Sequence, residues 1–262
     1  LGRIGSGKTT LLRLLAGLYT PSAGNVLLDG MDMRQIDPAD LRAHVSLLGQ
    51  APRLFMGSLR ENLELGRMDR LSNDAELIAA LKRFGLDKLV QAHPLGLNLP
   101  IGEDGHGLSG GQKQVVGLAR LTLRDPRVVL LDEPTSGLDE MRERMALQAV
   151  SDWAKDRTLV VVTHRLQVLP FVQRIIVLDQ GRVVMDGPRD AVLAHLRGVP
   201  TAPGVAGQPA PAVPSAETTA PAAGGVAAAR APQVRVIRIS SATPQQGGPA
   251  SAATPQGGAG VA

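Results

Sequence analysis

Short apolar, β-branched runs recur along the first part of the chain: VLLDG, HVSLL, RVVLLDE, TLVVVTH, RIIVLD and RVVMDG. Glycine, proline or charge bounds each of them, as expected of short buried strands. Between several of them the apolar positions shift to helical spacing. TTLLRLLAGL predicts a helix that opens inside a glycine loop, LDEMRERMALQAVSDWA a second and PRDAVLAHLR a third, with Pro188 near its first turn. Strands alternating with helices predict an α/β fold around a mostly parallel sheet. From 58 to 125 the pattern is mainly helical with no clear central strand, so 51–115 is read as a helical subdomain inserted into the sheet domain. No internal repeat and no sustained heptad pattern is visible.

The pattern breaks near Pro200. Ten of the nineteen prolines fall from Pro200 onward, among alanine and glycine. Such a stretch cannot bury enough apolar surface to offset its ordering entropy. The chain therefore divides into a folded domain over 1–199 and a tail over 200–262 read as disordered. QVRVIRIS at 233–240 alternates with period two and could add a strand to an exposed edge, but a lone apolar patch in the tail is the favoured reading.

Composition then narrows the function. The chain has 262 residues, 44% of them hydrophobic, enough for one sizeable core. It has no cysteine, so thiolate metal sites and disulfides are excluded. The net charge of +4 is small and forms no dense basic patch, which argues against nucleic acid as a partner. No apolar run approaches the ~18–20 residues of a membrane helix.

The chemistry begins at the first residues. Gly2-x-x-Gly5-x-Gly7-Lys8-Thr9 fits a phosphate-binding loop. Glycines let backbone N–H groups converge on an anion, and the following helix points its positive end at it. Lys8 reaches the outer phosphates and Thr9 offers a hydroxyl to Mg²⁺. Gly2, Arg3, Ile4, Gly5, Ser6, Gly7, Lys8, Thr9 and Thr10 form the candidate cradle for the phosphates of a nucleotide. VVLLDEP at 128–134 is an apolar strand ending in two acids. Asp132 is placed to bind Mg²⁺, and Glu133 to take a proton from an attacking water. LSGGQKQ at 108–114 opens a helix with small residues, Ser109 as cap and Gly110, Gly111 and Gln112 in its first turn. One nucleotide cannot easily use two anion sites of one chain, so this second site is expected to dock on a nucleotide held by another chain. His164 follows the apolar strand VVVT, at the carboxyl end of the sheet where α/β folds bind ligands. The remaining histidines are read as exposed or structural, with His106, just before LSGGQ, the one to watch.

With the glycine loop, LSGGQ, LLDE, SGLD at 136–139 and VVVTH at 160–164 in this order, residues 1–199 resemble the nucleotide-binding domain of ABC transporters. The resemblance implies a RecA-like P-loop NTPase core with an inserted helical subdomain, MgATP hydrolysis, and two ATP sites shared across a homodimer. It implies that Gln50 senses Mg²⁺ and couples to a membrane domain, that Asp139 lies at the dimer interface, and that His164 sits near the γ-phosphate. Catalysis then falls to Glu133, His164 and Gln50, with Mg²⁺ at Thr9, Gln50 and Asp132. SGLD departs mildly from the commoner SALD. The upstream strand and the adenine-stacking aromatic of the family have no counterpart, so a membrane-spanning permease domain is expected upstream on the native chain. The sequence as written is expected to fold poorly or bind ATP weakly, because the missing strand leaves edges unpaired.

PRLFMGSLRENL and IGEDGHGLSGGQ resemble ABC exporters, most of all type I secretion permease/ATPases at the cytoplasmic face of the bacterial inner membrane. That resemblance implies a periplasmic adaptor and an outer-membrane channel as further partners. An importer ATPase, and a soluble ABC-type ATPase acting on DNA or ribosomes, are the alternatives.

Overall fold

The computed structural model describes residues 1–67, 70–197 and 238–240. The glycine loop leads into α1 (Lys8–Leu15), whose Leu12 and Leu15 are buried. β1 (Asn25–Leu28) and β2 (Met31–Asp32) form an antiparallel ribbon turned at Asp29 and Gly30, both with positive φ, as a type I′ hairpin needs. α2 (Pro38–His44) starts on an Asp37 side-chain cap with proline in its first turn, and leads directly into β3 (Val45–Leu48). Then come β4 (Gly57–Ser58), α3 (Leu59–Glu64), α4 (Asp74–Arg83), α5 (Asp87–Ala92), β5 (Pro100–Ile101) and α6 (Gly110–Arg124). The chain returns through β6 (Val128–Asp132), α7 (Glu140–Trp153), β7 (Thr158–Val162), the hairpin β8 (Arg174–Asp179) and β9 (Arg182–Pro188), and α8 (Arg189–Leu196). β10 (Arg238–Ser240) follows.

The order β3-β6-β7 makes a parallel sheet, with Val45 opposite Val128 and Asp132 opposite Val162. All five residues of β6 are buried. Because side chains alternate along a strand, Val128 and Leu130 join one core with Leu12, Leu15 and Leu41. Val129 and Leu131 join a larger one with Leu81, Val116 and Leu118. A strand covered on both faces reads as a continuous apolar run, which is why VVLLD was legible. It also fixes the position of Asp132 and Glu133 at the sheet's carboxyl end.

The sheet structure differs from the sequence reading in two ways. Only β3, β6 and β7 pair in parallel; β1 with β2 and β8 with β9 are antiparallel. The period-two segment in the tail supplies β10, which lies antiparallel on β1 with Val26 opposite Ile239, rather than standing as a lone patch. β1 presents unpaired backbone groups on that edge, and an alternating segment can satisfy them. The rest of 200–262 lies outside the described residues. α6 also runs unbroken through position 115, the boundary read for the helical subdomain, and stops only at Asp125 in the left-handed conformation before Pro126.

Candidate functional site

The glycine loop turns on residues that only glycine tolerates well. Gly5 and Gly7 have φ of 81° and 93°, and Gly7 caps α1 without any side chain. The first turn of α1 carries no acid, so its N–H groups and positive dipole end face an anion site with no internal competitor. Lys8 folds back over its own loop: its Nζ donates to the Gly2 carbonyl at 2.9 Å, the Arg3 carbonyl at 2.6 Å and Ser6 Oγ at 3.3 Å. Ile4 at the tip is fully exposed. The loop is seated on the hairpin, with Leu178 N–H donating to the Leu1 carbonyl and Gly181 N–H to the Ser6 carbonyl.

The end of β6 meets this loop. Thr9 Oγ1 donates to Asp132 Oδ2 at 2.7 Å, so the hydroxyl and the carboxylate singled out for Mg²⁺ are in contact. Among the described residues no cluster of three or more His, Cys, Asp or Glu could hold a metal. One carboxylate and one hydroxyl suit Mg²⁺, which keeps waters and takes phosphate oxygens rather than an all-protein cage.

Glu133 has φ of 48°, a left-handed conformation forced on a non-glycine residue. Its own N–H donates to the Val162 carbonyl. That twist aims its carboxylate at the end of β7. Thr163 Oγ1 donates to Oε2 at 3.0 Å, the His164 N–H donates to Oε1 at 3.1 Å, and His164 Nδ1 lies 2.8 Å from Oε1. The Glu133 side chain is only 13% exposed, whereas that of His164 is 75% exposed. A shielded acid is thus paired with an imidazole whose other edge faces solvent.

LSGGQ lies elsewhere on the surface. Ser109 Oγ accepts from the Gln112 N–H, and Gln112 Oε1 accepts from the Ser109 N–H, a reciprocal capping box. Gly110 and Gly111 follow with no side chains to cover the helix end. A Cβ on Gly111 would come within 2.9 Å of the Gly137 carbonyl oxygen, so α6 can pack against the 136–139 loop only through glycine. Gln114, deeper in α6, donates to the Pro134 carbonyl at 2.9 Å. Ser136 Oγ donates to the Gln50 carbonyl at 3.2 Å, and Asp139 caps α7 by accepting from the Arg142 N–H. Residues 50, 109–112 and 134–139 thereby form one connected patch. His106 sits in a backbone turn, its N–H donating to Glu103 and its carbonyl accepting from Gly102. Sequence reasoning missed Thr135, Thr163, Glu143 and Arg165, which brace these loops; nearness in sequence to Glu133 and His164 could have flagged Thr135, Thr163 and Arg165, but not Glu143.

A family model described as ABC transporter matches residues 1–136, half of the chain. The chain belongs to the ABC transporter family. Among its ABC relatives, an ATP-dependent lipid A-core flippase of Neisseria meningitidis is 42% identical over 195 residues, covering 74% of this chain and 31% of the relative. A mycobactin import ATP-binding/permease protein of Mycolicibacterium thermoresistibile is 42% identical, covering 74% and 33%. A glutathione/L-cysteine transport system ATP-binding/permease protein of Haemophilus influenzae is 37% identical, covering 76% and 34%. The structure of a bacterial Atm1-family ABC exporter with ATP bound superposes with a TM-score of 0.70 at 34% identity, covering 76% of this chain and 34% of that one. The chain thus spans about a third of the length of these ABC proteins.

Proposed function

We propose that this chain is the ATP-binding and ATP-hydrolysing domain of an ABC exporter, acting as a homodimer at the cytoplasmic face of a bacterial inner membrane and joined to a transmembrane permease domain. The observation that carries the reading is the Glu133 carboxylate, shielded and held by Thr163 and His164 beside the Thr9–Asp132 contact. Lys8 exchanges its loop carbonyls for the outer phosphates of ATP, and the N–H groups of the glycine loop and α1 take the remaining oxygens. Thr9 and Asp132, which are already in contact, would hold Mg²⁺, with Gln50 as a further ligand from the neighbouring patch, and the ion would offset the charge that develops on the phosphates. Glu133 accepts the proton of the water that attacks the γ-phosphorus, and His164 orients that water and the γ-phosphate as the bond to ADP breaks. The open start of α6 covers the nucleotide of the partner subunit, so a two-fold dimer builds both sites at once.

A groove of about 500 Å³ fits the coupling role. It runs from β3 past Ala51, Pro52 and Phe55 to Leu65 and Arg120. Arg120 donates to the Asn62 and Arg53 carbonyls, and burial lowers its pKa to about 10, so it stays charged and binds the segment after Gln50 to α6. A loop of the permease domain seated here would feel any movement of α6. No helix among the described residues is long and apolar enough to cross a membrane, so in this reading the spans lie in that permease domain.

Protein export by type I secretion, with a periplasmic adaptor and an outer-membrane channel, is the finer reading favoured by PRLFMGSLRENL and IGEDGHGLSGGQ. The relative named for mycobactin import favours a second reading, uptake of a small molecule. The transporter encoded by the complete gene, reconstituted in lipid vesicles, tests these readings together. MgATP hydrolysis that rises with a secreted protein substrate supports the first, and hydrolysis that rises only with a small solute supports the second. A transporter that binds no ATP overturns both.

Two variants separate the parts. Phe55→Asp puts a charge on the groove's apolar wall and is expected to reduce transport about tenfold or more while ATP still binds, since burying an unpaired charge at a docking surface is costly. Transport and nucleotide titration in the same vesicles check it. Deleting 200–262 is expected to change ATP turnover by no more than about twofold, because Val26 keeps β1 in the core and, among the described residues, the deletion removes just the edge strand β10. A phosphate-release assay on both forms decides.

A further inference from the structure

Glu143 is a carboxylate in α7 with a side chain only 2% exposed, and the hydrolytic scheme above gives it no part. Thr135 Oγ1 donates to its Oε1 at 2.8 Å, and Arg165 Nη1 donates to its Oε2 at 2.7 Å. Thr135 stands two residues after Glu133, and Arg165 one residue after His164. One carboxylate therefore grips both loops that carry the hydrolytic pair. The Arg165 N–H donates to Thr163 Oγ1 at 3.0 Å, and Thr163 Oγ1 donates onward to Glu133 Oε2. The path Glu143, Arg165, Thr163, Glu133 and Thr135 closes into a ring of side-chain and short backbone links.

Stability alone is a poor reason for such an arrangement. Desolvating a carboxylate and a guanidinium offsets most of their attraction, and apolar residues of similar volume often serve the fold as well. What a fully satisfied buried network supplies is a unique geometry. Glu133 needs one, because its left-handed backbone conformation persists only where the surroundings over-determine it.

We propose that Glu143 is a positioning residue for hydrolysis: through Thr135 and Arg165 it sets the distance and angle between the Glu133 carboxylate and the His164 imidazole. The proposal rests on the reading of Glu133 as the proton acceptor. Glu143→Gln keeps the shape and the bond from Thr135, but turns an amide donor toward the Arg165 donors. In the complete transporter, kcat for MgATP is expected to fall about 10- to 100-fold, the scale of a misplacement near 1 Å, with the KM for ATP unchanged; the thermal midpoint falls, because Arg165 is left without its charged partner. Arg165→Lys keeps the charge but loses the planar fork, and is expected to give a smaller kcat loss at the parental midpoint. On a Glu133→Gln background, adding Glu143→Gln should lower residual turnover no further, because a positioning residue has nothing left to position.

Unchanged kcat in both single variants overturns the proposal. So does a kcat loss matched by an equal loss of ATP affinity or of thermal midpoint in both, which marks a structural role. A further multiplicative drop in the double variant overturns it as well. If Glu133→Gln by itself leaves hydrolysis intact, the reading of Glu133 fails instead, and the two failures are told apart in one assay series.

Discussion

Glu133→Gln in the complete transporter is expected to stop ATP turnover and leave a nucleotide-bound dimer. The amide matches the carboxylate in shape and still accepts from Thr163 through its oxygen. It cannot take a proton from water, and loss of a general base costs about 10²–10⁴ in rate. Binding persists because Lys8, Thr9 and the glycine loop are untouched. Adding Ser109→Arg should release the trapped dimer. It removes the hydroxyl that accepts from the Gln112 N–H and sets a bulky cation on the open helix start. Size-exclusion chromatography with MgATP, paired with phosphate release, reads both steps. A single variant that stays monomeric with MgATP, or a double variant as tightly trapped as the single one, contradicts the shared-site arrangement.

Lys8→Ala is expected to abolish nucleotide binding. In this structure the ammonium is satisfied by two carbonyls and one hydroxyl of its own loop. A charged hydrogen bond contributes about 1.5–3 kcal/mol, and Lys8 can offer more than one to the phosphates, so the loss is at least about 100-fold in affinity. Removing the side chain also frees the Gly2 and Arg3 carbonyls, which then point at an incoming anion. Direct titration of ATP against both forms checks the outcome; equal affinities would mean that the loop does not hold phosphate.

Much of this was legible in the sequence because each motif has a local cause. The short apolar run 128–131, with two β-branched residues, reads as a buried strand, and a strand that ends in Asp132 and Glu133 delivers them to one end of the sheet. Ser109 and Gln112 stand three apart, which suffices to read a capped helix start. What stayed hidden depends on contacts far apart in the chain. Nothing around Glu143 marks it as buried, since its neighbours Glu140, Arg142 and Arg144 are all exposed. The positive φ of Glu133, whose N–H is tied to the distant Val162 carbonyl, has no signal in its residue type. β10 illustrates the same limit: period two gave the conformation, but the edge it joins lies some two hundred residues earlier.

α6 has a metrical consequence. From Gly110 to Arg120 it advances ten residues, about 15 Å at 1.5 Å per residue. It is a ruler with one end at the open helix start and the other in the groove, and a helix measures angle as well as length. Inserting a single residue between Gln114 and Arg120 would move the guanidinium about 1.5 Å along the axis and swing it about 100° around it, away from the Asn62 and Arg53 carbonyls. The spacing between these two ends is thus fixed in both senses: even four inserted residues, about 40° past a full turn, would push the guanidinium about 6 Å along the axis.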